Sequence, residues 1–223
     1  MRPFIKIIIR RILNIIPQKA VVFILSGPLR GMRWVKGSGV NGYWIGTYEK
    51  GEAEKFSGMI SKNDVVFDVG AQAGYYSLIA ARKGAKVFAF EPLEENIKNL
   101  EKNAKLNNLN IKIFPYAVSD KSGTVLFGKV SGGSPLEARI GQGKEISCVT
   151  LDEIIEKESL LPSVIKIDAE GYEDNVLIGG GKFIRKCHPK LMVATTGETS
   201  VDLVKSLGYS KINIINNNSI FAE

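Results

Sequence analysis

A glycine turn followed by a carboxylate is the first group of residues in this chain that could do chemistry. Asp68 lies within an apolar run, Gly70 and Gly74 follow in a short turn, and Glu91 ends the next apolar run. Glycines let a ligand approach the backbone, and the carboxylate can accept hydrogen bonds from both hydroxyls of a ribose. The spacing differs from the G-x-G-x-x-G pattern of dinucleotide sites. We therefore expect a nucleoside ligand without a pyrophosphate, and S-adenosylmethionine fits that description.

A second group of residues follows the third apolar run. We expect Ala117 and Val118 to lie near the adenine of such a ligand, with one of them packed on the ring. Asp120 could accept a hydrogen bond from the exocyclic amine. A plain polar turn, for which Asp-Lys-Ser-Gly is good chemistry, explains Asp120 equally well, so both interpretations stay open.

A third group places two carboxylates at the end of another buried strand. Asp168 and Glu170 would lie where the reactive end of the ligand is expected. Carboxylates there could stabilise a cationic methyl donor, orient an acceptor hydroxyl or take its proton. Helix capping by Asp168 and a solvated Glu170 are the alternative. Lys166 is interpreted as a partner charge, and His188, the only histidine, is expected at the wrong end of the sheet for catalysis. No metal site is predicted, because no His or Cys ligand spacing accompanies the carboxylates.

Alternating strands and helices after residue 64 must position these groups. Strands are expected at 65–69, 86–91, 111–116, 164–168 and 190–194, with helices between them and a terminal hairpin formed by 209–215 and 219–223. This pattern predicts an α/β fold with a doubly wound, mostly parallel sheet and one antiparallel strand, and it places the ligand at the carboxyl ends of the strands. Extra strands are expected at 124–130 and 146–150, joined by a glycine-rich loop at 132–143.

The N-terminal region differs in composition from the rest of the chain. Residues 1 to about 25 alternate apolar and basic side chains and predict an amphipathic helix, and its charges leave no apolar run long enough to span a bilayer. This helix could pack on the core, pair with another subunit or rest on a membrane surface. Four aromatic residues nearby either cover the sheet or form an acceptor platform; they are Trp34, Tyr43, Trp44 and Tyr48. We expect a boundary between an N-terminal segment, 1–45, and a main domain, 46–223.

Composition sets limits on the class of protein. The chain has 223 residues, of which 44% are hydrophobic, so it can form a substantial core, and gross disorder is not expected. Its net charge of +7 is compatible with nucleic acid, anionic lipid, an anionic substrate or simple solubility. Cys148 and Cys187 are not expected to pair, which indicates a reducing, cytoplasmic compartment, with peripheral membrane contact as an addition.

Four blocks of this sequence resemble the FkbM family of S-adenosylmethionine-dependent methyltransferases. They are 64–103, which includes DVGAQAG and FEP, then YAVSDKSG, CVTLDEII and VIKIDAEGYEDNVLIGG. KIDAEG is the most specific of these motifs. The resemblance, which spans roughly 43–215, implies a seven-stranded class I methyltransferase fold. It also implies methyl transfer to oxygen, often on a sugar or another small molecule. The expected cofactor-binding residues are Asp68, Gly70, Ala71, Gln72, Gly74, Glu91, Pro92, Ala117, Val118, Asp120 and Asp168, and the expected catalytic residues are Asp168 and Glu170.

Two other functions remain open at this point. The positive charge and the polar run 96–108 would suit an RNA methyltransferase, although the N/D-P-P-Y/F tetrapeptide of many base-amino methylases is missing after the fourth strand. A non-enzymatic module for assembly or membrane-surface binding is the third hypothesis. The partners expected are therefore a small-molecule or carbohydrate acceptor and a second copy bound through the N-terminal segment, with nucleic acid less favoured.

Overall fold

A computed structural model describes residues 16–129, 138–140, 143–194, 198–216 and 218–223. The strands in this part of the chain are β1 Val21–Phe23, β2 Arg33–Val35, β3 Val65–Val69, β4 Lys86–Phe90, β5 Ile111–Phe114, β6 Ala117–Val118, β7 Gly123–Lys129, β8 Ala138–Ile140, β9 Lys144–Val149, β10 Val164–Ile167, β11 Lys190–Ala194, β12 Ile212–Ile215 and β13 Ser219–Ala222. The helices are α1 Asn41–Ile45, α2 Lys50–Met59, α3 Tyr75–Arg82, α4 Glu94–Leu106, α5 Leu151–Glu158, α6 Glu173–Gly179, α7 Gly181–Cys187 and α8 Glu198–Ser206.

Seven strands form the central sheet in the order β12-β13-β11-β10-β3-β4-β5. All neighbouring pairs are parallel except those that involve β13, which runs antiparallel to both β11 and β12. The predicted doubly wound sheet with its terminal hairpin is therefore confirmed. The strand order reverses between β3 and β10, and in open α/β sheets this is where the carboxyl ends of the strands leave a crevice for a ligand.

Side chains of the central strands alternate between two core layers. In β3, Phe67 and Val69 pack with helices α5 to α8, whereas Val66 packs with α2, α3 and the N-terminal segment. A strand buried on both faces needs apolar residues at nearly every position, and β3 and β10 have them. The exceptions are Asp68 and Lys166, which are both buried. Charged groups in such a position must pair with each other.

The N-terminal segment is not the helix that the sequence predicts, as far as it is described. Residues 1–15 lie outside the described part. Residues 21–23 form β1, which pairs antiparallel with β2 and places Val22 opposite Trp34. The helical prediction is therefore wrong for the described residues 16–25, because adjacent valines and the inward-facing Trp34 favour a two-stranded sheet over a helix. The short helix α1 was not predicted; it ends at Gly46, whose φ of 79° suits glycine.

A smaller sheet beside the central one contains β6, β9, β7 and β8 in that order. It includes both predicted extra strands. Most of the predicted loop at 132–143 lies outside the described residues, but 138–140 form β8, which was not predicted. The strand β6 consists of Ala117 and Val118 and pairs parallel with β9. The smaller sheet therefore forms one side of the ligand crevice. No helix in the described ranges combines the length and apolarity needed to cross a bilayer.

Candidate active site

A pocket opens at the carboxyl ends of β3, β4 and β10. The space between its lining residues is about 840 Å³ and includes open solvent at the mouth of the pocket. Most of the predicted site residues line it: Gly70, Ala71, Gln72, Glu91, Pro92, Ala117, Val118, Asp168 and Glu170. The structure therefore brings together residues from four separate elements of the sequence, as the fold implies.

The glycine turn lies closely against the neighbouring strands. Gly70 has a φ of 73°, and a Cβ atom built there would lie 1.8 Å from the Asp168 carbonyl oxygen. Both the Gly70 and Ala71 amides donate to the Phe90 carbonyl oxygen, at 3.0 and 3.1 Å. Only glycine fits this approach, so the first glycine of the motif is required by the packing of β3 against the end of β10.

Glu91 fastens the turn and faces the pocket. Its Oε2 accepts the Gln72 amide at 2.8 Å, and its Oε1 accepts the Leu93 amide at 2.9 Å and the Asn96 side-chain amide at 3.2 Å. The residue is only 4% exposed, and burial raises the pKa of its carboxyl. A carboxylate offers about four acceptor positions, so three donors leave capacity for a ligand hydroxyl. This geometry fits the predicted ribose-binding role.

Asp68 does not line the pocket, contrary to the expectation that it faces the ligand. It is completely buried, and its Oδ2 accepts the Ser77 hydroxyl at 2.6 Å. Its Oδ1 lies 3.3 Å from the Lys166 Nζ. The register explains this position, because Asp68 on β3 is the direct neighbour of Lys166 on β10. Asp68 therefore supports the floor of the pocket rather than its lining.

Lys166 connects that floor to the pocket rim. Its Nζ donates to the Gly70 carbonyl oxygen at 3.1 Å and lies 3.5 Å from Asp168 Oδ2. Burial works against its charge, but the carboxylates of Asp68 and Asp168 outweigh burial and raise the pKa of the Lys166 ammonium. The structure places Lys166 as the partner charge that the sequence indicates, with one carboxylate below it and one at the pocket.

Two further predicted site residues also lie outside the pocket lining. Gly74 precedes α3 with a φ of 91°, and an added Cβ would lie 2.8 Å from Leu100 Cγ, so this glycine allows α4 to pack closely. Asp120 Oδ1 accepts the Ser119 hydroxyl at 3.0 Å and the Asn175 side-chain amide at 3.1 Å. The hydrogen bond from Asn175 lowers the pKa of Asp120. These contacts favour the polar-turn interpretation of Asp120 over contact with adenine.

Asp168 and Glu170 lie at the pocket on the loop after β10. The Asp168 side chain is 29% exposed, and Glu170 adopts a φ of 52°, which is uncommon for a non-glycine residue. Glu173 holds this loop: its carboxylate accepts the Ala169 amide at 2.8 Å and the Gly171 amide at 3.1 Å. Sequence reasoning missed Glu173, although an acidic residue in the first turn of a helix is a recognisable capping signal.

A cluster of four tyrosines forms a wall of the pocket that sequence reasoning identified only in part. It consists of Tyr43, Tyr48, Tyr75 and Tyr76. Tyr43 stacks on Tyr75 with ring centroids 4.9 Å apart, and its hydroxyl donates to Gln72 Oε1 at 2.5 Å. Of the four aromatic residues weighed from the sequence, Trp34 and Trp44 belong to the buried core, whereas the two tyrosines also line the pocket.

Glu49 lies directly behind this tyrosine wall. Its Oε2 accepts the Tyr76 hydroxyl at 2.7 Å, and burial raises the pKa of its carboxyl. On another side of the pocket, Phe127 from the smaller sheet and Tyr116 add aromatic surface near Ala117 and Val118. No group of three His, Cys, Asp or Glu side chains within the described ranges is arranged to hold a metal ion.

Comparison with known proteins places this geometry in a family. The model of the methyltransferase FkbM domain matches residues 68–207. The chain belongs to the FkbM methyltransferase family. The resemblance expected from the sequence blocks is thus confirmed. The match begins at Asp68, so the family model includes the glycine turn, Glu91 and Asp168, but not Tyr43, Tyr48 or Glu49.

Individual relatives agree with this membership. The chain is similar to hexuronic acid methyltransferase AglP of Haloferax volcanii, with 27% identity over 155 residues. The alignment covers 68% of this chain and 64% of that relative, so this FkbM-family chain spans less than two thirds of the relative's length.

Two solved structures show the same fold. One is the methyltransferase FkbM from Methylobacillus flagellatus KT, with a TM-score of 0.54 and 20% identity, covering 74% of this chain and 44% of that one. The other is the tRNA (uracil-54, C5)-methyltransferase of Pyrococcus abyssi in complex with S-adenosyl-L-homocysteine. It has a TM-score of 0.51 and 12% identity, and the match covers 92% of this chain and 43% of that one. Both confirm the class I methyltransferase fold.

Proposed function

We propose that this protein transfers the methyl group of S-adenosylmethionine to a hydroxyl of a carbohydrate or related small molecule. The observation that carries the proposal is the buried Glu91 carboxylate, which lines the pocket and keeps acceptor capacity beside the Gly70 turn. Membership of the FkbM family and the name of the curated hexuronic acid methyltransferase support the reaction class and a sugar acceptor.

The residues present fit each part of the methyl donor. Glu91 would accept a hydrogen bond from a ribose hydroxyl at its remaining acceptor position, and the backbone from Gly70 to Gln72 would lie along the amino-acid part. Ala117 and Val118, together with Phe127, provide apolar surface for the adenine. The donor, when bound, supplies an electrophilic methyl group on a sulfonium.

The chain's own residues would act on the acceptor. Asp168 is the carboxylate at the pocket that can take the proton of an acceptor hydroxyl, and Lys166 holds it in place from below. Glu170 adds a second acceptor for hydroxyl groups at the rim. The tyrosine wall excludes water from that side and holds the acceptor close to the donor, and positioning of this kind accounts for much of the rate of displacement reactions.

RNA methylation is not favoured. The polar run 96–108 that suggested it turns two of its asparagines inward, because Asn96 is bonded to Glu91 and Asn103 is completely buried. The carboxylates of Asp168 and Glu170 at the pocket would also repel a phosphate backbone. Oligomerisation and membrane contact through the predicted N-terminal helix stay predictions, since residues 1–15 lie outside the described part of the chain.

Replacing Glu91→Gln tests the proposal. Glutamine keeps the shape but removes the charge that strengthens hydrogen bonds to the ribose, so we expect a loss of donor affinity of about tenfold or more in titration calorimetry. Glu94→Gln, which changes an exposed carboxylate three residues away, is the matched control and should leave affinity unchanged. Unchanged affinity in Glu91→Gln would contradict the donor site. Transfer is measured by mass spectrometry on hexuronosides and neutral hexosides.

A further inference from the structure

An exposed apolar strip runs along the first described strand. Val21, Phe23 and Leu25 are 49%, 64% and 58% exposed, whereas the residues between them, Val22 and Ile24, pack against the core. Val21 and Phe23 are alternate residues of β1 and point to the same side of the strand, and the exposed Leu25 continues this alternation of exposed and packed side chains just after β1. Nowhere else in the described ranges do three large exposed apolar residues follow each other at this spacing.

Arginines border this strip. A shallow depression beside Phe23 is lined by Arg30, Arg33 and Arg82, and no carboxylate contributes to its lining. Arg33 lies directly opposite Phe23 in the pairing of β1 with β2, so their side chains share one face. Arg82 donates to the Pro28 and Arg30 carbonyl oxygens at 3.0 and 2.8 Å and thereby holds the loop that carries Arg30.

We propose that this face, formed by Val21, Phe23, Leu25, Arg30 and Arg33, docks on a bilayer surface that contains anionic lipids. A peripheral membrane site needs apolar side chains that enter the headgroup region and basic side chains that attract anionic headgroups. Both occur here on one surface. The net charge of +7 adds a long-range attraction to such a membrane.

A second copy of the chain is a poorer occupant of the same face. A two-fold contact would place the patch against itself and bring the arginines of both copies together. The lining of the depression offers no carboxylate to pair with them. The sequence before the strip also favours an anionic membrane over a second copy, because residues 1–15 contain four Lys or Arg residues and no Asp or Glu.

The docking face is hydrogen-bonded to the segment that carries Tyr43 of the tyrosine wall. The Leu25 amide donates to the Trp44 carbonyl oxygen at 2.9 Å, and the Ser26 hydroxyl lies 3.0 Å from the carbonyl oxygens of Ile45 and Gly46. The face is therefore hydrogen-bonded to the end of α1, yet none of its residues lines the active-site pocket. The inference does not depend on the proposed methyl transfer.

Vesicle sedimentation with the full-length chain tests the inference. The vesicles contain phosphatidylcholine alone or phosphatidylcholine with phosphatidylglycerol, and only the second kind should bind the wild-type protein strongly. We expect Phe23→Asp to weaken that binding by about tenfold or more, because the exposed ring gains apolar transfer energy when it enters the bilayer surface. Arg33→Glu should weaken it by about fivefold or more. The matched controls are Leu161→Asp, at a residue that is 66% exposed, and Lys186→Glu.

Several outcomes would overturn the inference. They are equal binding to both kinds of vesicle, unchanged binding by Phe23→Asp and Arg33→Glu, or a dimer in light scattering that Phe23→Asp converts to a monomer. Donor affinity, measured by calorimetry on the same samples, should match the wild type in every variant and reports that each is folded. Phe23→Ser is the second variant in case aspartate disturbs the strand. A failure of membrane binding with normal donor affinity leaves the proposed function untouched.

Discussion

The charges beneath the pocket depend on each other at the level of single residues. Asp68 and Lys166 are both buried, and their side chains are 3.3 Å apart, so removing either one leaves the other as an uncompensated charge. Lys166 also reaches Asp168, which is partly exposed. The chemistry at the rim therefore depends on a pair that the ligand does not touch.

Lys166→Met should destabilise the protein by about 3–5 kcal/mol, because Asp68 would remain buried without its counter-ion. The measurement is the free energy of unfolding in urea. The control is the double variant Asp68→Asn with Lys166→Met, which removes both charges and should recover a large part of the loss. If the double variant loses as much free energy of unfolding as Lys166→Met, or more, the unpaired Asp68 charge is not the cause of the destabilisation.

Glu91 gives the donor site a pH dependence of known sign. Burial raises the pKa of this carboxyl, so protonation begins at higher pH than in an ordinary glutamate. The ionised form accepts the stronger hydrogen bonds from ribose, so we expect donor affinity to fall as the pH is lowered from neutrality towards the ordinary pKa of a glutamate. The folding stability should change in the opposite sense. Because the pKa of Glu91 is raised in the folded protein, the contribution of this carboxyl to stability decreases as the pH rises through that pKa.

Calorimetric titrations across that pH range check this expectation. The Glu91→Gln variant cannot titrate at this position, so its weaker affinity should change less with pH than that of the wild type. If both proteins lose affinity in parallel on acidification, another group controls the dependence, and the assignment to Glu91 is wrong.

At the level of elements, α4 joins the N-terminal segment to the glycine turn through Asn103. This residue is completely buried; its Oδ1 accepts the Val35 amide at 2.9 Å, and its Nδ2 donates to Ser38 Oγ at 3.1 Å and the Ala73 carbonyl oxygen at 3.0 Å. One side chain thus fastens β2, the loop after it and the turn that carries the site. Three hydrogen bonds without access to water are costly to lose.

Asn103→Ala should destabilise the protein by about 2–4 kcal/mol, because it leaves buried donors and acceptors without partners. Donor affinity should fall as well, since Ala73 belongs to the glycine turn. Asn107→Ala is the matched control, because the Asn107 side chain also bonds β2, at Arg33, but through hydrogen bonds that are exposed to solvent. Thermal unfolding measures the stability, and titration calorimetry measures the donor affinity. Equal destabilisation by the two variants would contradict the importance of burial.

The central sheet could be predicted from the sequence because its strands are continuous apolar runs separated by glycine, asparagine and proline signals. Strand β3 and the glycine turn are an example, and the position of Glu91 followed from the parallel arrangement. The positions of Asp68 and Asp120 could not be predicted in this way. Whether a carboxylate at a strand end faces a ligand or a neighbouring side chain depends on register, which places Asp68 beside Lys166.

The N-terminal segment was harder to predict for a physical reason. Strand β1 has three residues, and its stability comes from pairing with β2 and from Trp34 on the core side rather than from its own periodicity. Tyr43 and Tyr48 reach the pocket through the short helix α1 and its following loop, which carry no strong local signal. Tertiary packing therefore determines this wall, and single-sequence patterns do not report it.

On the scale of the whole molecule, the segment before the family match and the main sheet share one core. The same cluster contains Trp34, Trp44 and Phe56 from the N-terminal side and Val66 and Met192 from the central sheet. The boundary expected between residues 45 and 46 stays a prediction. A core that is continuous across this position favours one folding unit, because neither side can bury its apolar surface without the other.

Unfolding should therefore be a single cooperative transition for the described segment and the sheet together. Both tryptophans of the chain, Trp34 and Trp44, lie in the N-terminal segment, so tryptophan fluorescence reports that segment and its contacts with the shared core, whereas far-ultraviolet circular dichroism reports the whole fold. We expect the two urea transitions to coincide. Trp34→Ala should shift the dichroism transition by about 3–5 kcal/mol, because the ring is completely buried between both parts.

Exposed Ile214→Ala is the matched control for Trp34→Ala and should leave the transition within about 0.5 kcal/mol of the wild type. If fluorescence changes at lower urea than dichroism, the N-terminal segment unfolds first, and Tyr43 would then leave the tyrosine wall while Tyr75 and Tyr76 on α3 stay in place. In that case the donor should move the fluorescence transition to higher urea, towards the dichroism transition, because a ligand stabilises the folded part of the chain to which it binds. Coincident transitions with and without donor mean that the pocket and its wall form and disappear together.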